Sequence, residues 1–130
     1  MTDCCCGSAD KVRILCACSG AAYTGFVADN VSPRPARLRM GRMTCLAAVA
    51  ATLSGFVESA RAAGGNVVVD GCPMACGKSI FDSLGIPYRH LTMTDFGVEK
   101  GRTVITPESI AKTAFAVAEE LAGGHDSTAL

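Results

Sequence analysis

The chain predicts an α/β protein: a three-layer α/β/α sandwich around a mainly parallel, four-stranded sheet. Three observations lead there. Short runs of β-branched and apolar residues alternate four times with longer segments of helical period. Glycine and proline punctuate the boundaries between them. The composition is rich in Ala, Gly and Val, with 5% aromatics and no Trp, which suits close packing of helices on a sheet. At 130 residues and 49% hydrophobic, the chain is the size of one domain and can fill one core.

The elements follow in order. Residues 11–18 form the first strand, with Val12, Ile14 and Leu15 ahead of Cys16 and Cys18, and Ser19-Gly20 ends it. Residues 24–31 read as a helix carrying Phe26, Val27 and Ala28, which Ser32-Pro33-Arg34-Pro35 breaks. Residues 42–46 read as a weak second strand and 47–51 as an alanine-rich connection. A helix from Ser54 or Gly55 to Ala63 buries Phe56, Val57 and Ala60, and Gly64-Gly65 stop it. Val67-Val68-Val69 is a short buried strand leading into Asp70-Gly71. Pro73 suits the first position of a helix running to Leu84. Residues 88–93 are the fourth strand, and 98–104 a loop or small hairpin. Thr106-Pro107-Glu108 supplies a cap hydroxyl, an N-terminal proline and an early carboxylate. The last helix repeats Ile110, Ala114, Val117, Ala118 and Leu121 on one face.

Twelve basic residues balance twelve acidic ones, so no global attraction draws the chain to nucleic acid or an acidic membrane. Arg34, Arg37, Arg39 and Arg42 make a short basic run without interleaved aromatics, best read as a solvated surface. The longest apolar run, residues 45–53, is too short to span a bilayer. Eight cysteines would suit a secreted disulfide scaffold, but no apolar stretch follows a basic start, and the rest reads as regular strands and helices. A reducing, cytoplasmic setting and thiolate chemistry are therefore expected. Residues 1–10 read as a mobile cysteine-rich tail, 11–124 as one domain and 125–130 as a second tail. Within the first tail, Cys4, Cys5 and Cys6 point in alternating directions if extended, so they do not close on one tetrahedral ion.

The remaining cysteines carry the functional signal. Cys18 and Cys45 end the first two strands, Cys72 follows the third, and Cys76 lies one helical turn on. In a parallel sheet these ends share one edge, where ligands of open α/β sheets bind. Strands lie about 5 Å apart, so thiolates from neighbouring strand ends fall within reach of one ion, given Zn–S bonds of about 2.3 Å. A helix N-terminus at Cys72 would favour its thiolate. Asp70 and Asp95 end strands three and four on the same rim and suit hydrogen bonding to ligands. Tyr23 and Thr24 lie close enough to Cys18 to line the pocket, while Cys16, on the same sheet face as Cys18, and His90, away from the rim, read as core or surface residues.

The motif Asp70-Gly71-Cys72-Pro73-x-x-Cys76 resembles that of the DGC-domain family of bacteria and archaea. Cys18-Ser19-Gly20, Cys45-Leu46-Ala47 and Thr94-Asp95-Phe96-Gly97 match in the same order, so the resemblance spans residues 12–98. It implies zinc binding by Cys18, Cys45, Cys72 and Cys76. Cys16, the cysteine tail and a longer connection over residues 32–42 depart from the pattern.

The expected function is zinc binding at a four-cysteine site on the C-terminal edge of a Rossmann-like or flavodoxin-like sheet, in a structural, storage or sensory role. Iron or an Fe–S cluster is the other metal chemistry. The alternative is a thiol–disulfide oxidoreductase or sulfur carrier in which Cys72 attacks and Cys76 resolves. No paired carboxylates, Ser-His-Asp set or glycine-rich phosphate cradle points to a hydrolase, and Lys78-Ser79 lack P-loop spacing. The expected partner is a metal ion, with no membrane and no nucleic acid.

Overall fold

A computed structural model describes residues 12–123. Cys4, Cys5, Cys6 and the C-terminal tail lie outside the described residues. Four strands, β1 (Arg13–Ala17), β2 (Arg42–Met43), β3 (Gly65–Asp70) and β4 (Arg89–Thr92), lie in the order β2-β1-β3-β4, with every neighbouring pair parallel. Side-chain alternation along the strands separates two cores. Leu15, Val67, Val69 and Leu91 belong to one, and Ile14, Cys16 and Val68 to the other. This is why Val67, Val68 and Val69 are all buried: the strand is covered on both faces.

The first face carries α1 (Tyr23–Val31) and α6 (Pro107–Gly123), packed through Val27, Val31, Val117 and Leu121. The second carries α3 (Leu46–Ala50), α4 (Ser54–Ala62) and α5 (Cys76–Leu84), packed through Val49, Val57, Ala60 and Phe81. The molecule is thus the expected α/β/α sandwich. The start of α6 is locked reciprocally: Ser109 N donates to Thr106 Oγ1 at 3.1 Å, and Thr106 N donates to Ser109 Oγ at 2.9 Å.

As expected, Ser32-Pro33-Arg34-Pro35 ends α1 at Val31, and Pro33 at once opens a short α2 (Pro33–Arg37), both prolines falling in a first turn, where no intrahelical N–H is required. Three local expectations are corrected. Residues 47–51 are largely helix rather than connection. The second strand is only two residues long. Helix α5 begins at Cys76, not Pro73, so Cys72 is not at its cap. No helix among the described residues is long and apolar enough to cross a membrane.

Candidate metal and thiol site

The chain leaves β1 toward β2 on one side and returns to β3 on the other. Such a reversal opens a crevice at the C-terminal ends of the two central strands. Cys18 N donates to Val69 O at 2.8 Å, extending the ladder one step past β1. The Gly71 backbone N–H is close enough to the Cys18 sulfur to favour its thiolate. The two loops touch through glycine: a Cβ at Gly71 would lie on the backbone of Thr24 and Gly25, and one at Gly25 would lie on Gly20. Around this contact sits a cavity of about 210 Å³, lined among others by Cys18, Thr24, Asp70, Cys72, Cys76 and Lys100.

The loop carrying the paired cysteines turns back on itself. Ala75 N donates to Cys72 O at 3.0 Å. Ala75 has φ +51°, a left-handed conformation that costs an alanine roughly 1–2 kcal/mol. Helix α5 starts immediately after it, so Cys76, exposed, holds its first position, and Cys72, half-buried, lies in the turn before.

No side chain next to α5 caps it; Asp70 does so from six residues upstream. Its Oδ1 accepts from Gly77 N at 2.8 Å and its Oδ2 from Lys78 N at 3.0 Å. Gly77 must be glycine-sized, because a Cβ there would meet Val68 Cγ1 and Asp70 Oδ1. His90 Nε2 lies 2.7 Å from Asp70 Oδ2. Burial pushes the Asp70 carboxyl up, but the His90 bond and the two amides outweigh it and hold it below the usual carboxylate range. Sequence reasoning placed His90 away from the rim. On β4 it pairs with Val68, two places before the Asp70–Thr92 pair, and its side chain reaches forward to the rim carboxylate. A histidine in a strand two places below the acid's register position was the available signal.

Cys45 precedes α3 and is exposed. It lines a second cavity of about 320 Å³, and Cys18 lines that one as well. Cys18 therefore stands between Cys45 on one side and Cys72 and Cys76 on the other. Burial pushes the Cys18 thiol up, the Gly71 N–H acts in the opposite direction, and Asp70, Cys76 and Cys72 add to the rise. Cys16 does not share the face of Cys18. It is fully buried in the second core, whereas Cys18, past the end of the strand, packs against the first. Burial, with a smaller contribution from Cys45, pushes the Cys16 thiol up to about 12.

Asp95 is exposed on the 3₁₀ turn Met93–Phe96 and lines neither cavity. Of Tyr23 and Thr24, only Thr24 lines the cavity that holds the paired cysteines. Among the described residues, no three His, Cys, Asp or Glu side chains are grouped so as to hold a metal ion. The donor chemistry, several thiols around one cavity, suits a soft cation. As they stand, the sulfurs do not close on one.

A doubly wound parallel sheet with thiols gathered at its switch point defines a cysteine-bearing α/β domain. The DGC-domain family profile matches residues 14–117, and the chain belongs to that family. It is also similar to the Anaerobic and virulence modulator AnvM of Pseudomonas aeruginosa, with 30% identity over 92 residues, 70% of each chain. No solved structure matches.

Proposed function

We propose that this is a thiol-based regulatory domain whose Cys18, Cys72 and Cys76 take up a soft metal ion, zinc by default, with Cys45 as the fourth donor. The observation that carries this reading is the convergence of Cys18, Cys72 and Cys76 on one cavity at the β1–β3 switch point. Zinc would supply charge that keeps these sulfurs deprotonated and ties the two loops together. The chain's own contribution is to hold the loops in contact through Gly71 and to fix the start of α5 through Asp70.

The sulfurs must be drawn inward to bind, so loading is coupled to movement of the Cys72–Cys76 loop. That favours a sensory role over a rigid structural one. The relative's name, an anaerobic and virulence modulator, supports regulation. A reducing cytoplasm would keep the thiols available.

The test is elemental analysis of anaerobically purified protein, wild type beside Cys72→Ser. Bound zinc in the wild type, lost in the variant, is the expected result. Metal near zero, with melting unchanged by a chelator, overturns the reading.

A second reading rests on Cys76 standing exposed at the head of α5, four residues after Cys72. Here the pair exchanges with a partner disulfide: one thiolate attacks a partner sulfur, and the second attacks the mixed disulfide and releases the partner as a dithiol. Reversible formation of a Cys72–Cys76 disulfide in metal-free protein, mapped by mass spectrometry, is its signature.

A further inference from the structure

We propose that the cavity also holds a small tetrahedral oxyanion, of the phosphate or sulfate class, seated on the N-terminus of α1 by its opening amides, the Thr24 hydroxyl and the Lys100 ammonium. This goes beyond the metal reading and uses none of its sulfurs.

The argument begins with an orphaned group. Thr24 is 1% exposed, lines the cavity, and its Oγ1 has no hydrogen-bond partner. A buried hydroxyl without a partner is costly, and a fold that keeps one has a use for it. A threonine in a helix commonly donates to the carbonyl four residues back, as Ser32 does to Ala28 in the same helix region. Thr24 does not.

The second strand of the argument is the helix end itself. Helix α1 has nine residues and no side-chain cap. Gly25 and Phe26 donate to Ala22 O, so the amides of Tyr23 and Thr24 come before the first closed turns. Gly20, Ala21, Ala22 and Gly25 put this end on the cavity wall. Such an end attracts anions. The other helix N-terminus at the cavity, that of α5, is already taken by Asp70.

Charge and size agree. Lys100 is the cation among the lining residues and makes no ion pair in the described structure. Asp70 also lines the cavity, but its oxygens are engaged by Gly77, Lys78 and His90. At about 210 Å³ the cavity is below the usual range for drug-sized ligands, and a free oxyanion or a terminal phosphoryl group suits it.

The experiment titrates full-length, chelator-treated protein with inorganic phosphate, against chloride at matched ionic strength. It follows melting temperature and amide NMR shifts. Melting should rise with phosphate, and the Thr24 and Gly25 amides should move. Thr24→Val should weaken binding about tenfold or more, while Thr24→Ser retains it. The valine variant loses only an unpartnered hydroxyl, so its melting in chloride should be unchanged or higher. Lys100→Gln should weaken binding and flatten its salt dependence. A Cys72→Ser/Cys76→Ser double variant should lose zinc but still bind phosphate, so the two readings fail separately. Methyl phosphate separates the sources: equal binding supports a terminal phosphoryl group, and weaker binding supports a free ion. Phosphate acting no better than chloride, or binding Thr24→Val as well as wild type, overturns the proposal.

Discussion

His90 Nε2 lies 2.7 Å from Oδ2 of Asp70, the carboxylate that also holds the Gly77 and Lys78 amides at the head of α5. One buried acid thus joins β3, β4 and the helix that carries Cys76. Asp70→Asn removes the charge and one of the two acceptor oxygens, leaving one of the Gly77 and Lys78 amides without its acceptor, and should cost about 1–3 kcal/mol at neutral pH. The pH dependence follows from the lowered native value. Above the unfolded carboxyl value of about 3.9, Asp70 contributes fully; as pH falls through its lower native value, the contribution is lost. Urea melts from neutral to strongly acidic pH should show the wild type losing an increment of stability that Asp70→Asn lacks throughout.

Gly71 makes a different demand, for space. Gly71→Ala would put a methyl group on the Thr24–Gly25 backbone. Overpacking of this kind should cost about 1–3 kcal/mol and part the two loops. Gly55→Ala is the control: a Cβ there meets nothing within 4 Å, and the position lies in α4. It should stabilise by about 0.5–1 kcal/mol. Thermal melts of the two variants beside wild type check both signs.

Thiol reactivity should divide along burial. Cys45 and Cys76 are exposed, whereas Cys16 is fully buried with its thiol pushed up to about 12. Iodoacetamide should label Cys45 and Cys76 in native, metal-free protein and reach Cys16 only after denaturation. Peptide mass spectrometry over a time course reads the order. Early labelling of Cys16 would mean that the second core opens far more readily than its packing implies.

Ala75 holds a left-handed conformation beside the paired cysteines. Strain of this kind gathers at functional loops. Ala75→Gly removes the Cβ penalty and should stabilise the fold by up to about 1 kcal/mol, net of the glycine's greater unfolded-state freedom. Denaturant melts give the sign. Zinc titration of the same variant should show weaker binding, because a freer turn has more conformational entropy to lose when the sulfurs close.

Much of this architecture was legible because it is written in local periodicity. The valine run of β3, the apolar face of α6 and the Thr106 start each follow from residues within a turn or a strand of one another. The gathering of Cys18, Cys72 and Cys76 followed from strand ends sharing an edge. What escaped was settled across the sheet. Pro73 mimicked a helix start, but the actual cap is Asp70, folded back from the strand, and a cap six residues away leaves no local pattern. The reach of His90 to Asp70 depends on the register of β4 against β3. Cys16 and Cys18 parted because the strand ends at Ala17, where period-two alternation ceases to apply. Asp95 sits on a 3₁₀ turn whose direction no pattern in the sequence announced.

Cys18 borders both cavities, with Cys45 across one and the paired cysteines across the other. The two compartments therefore share a wall at that residue, so an adduct on Cys18 would alter the lining of both.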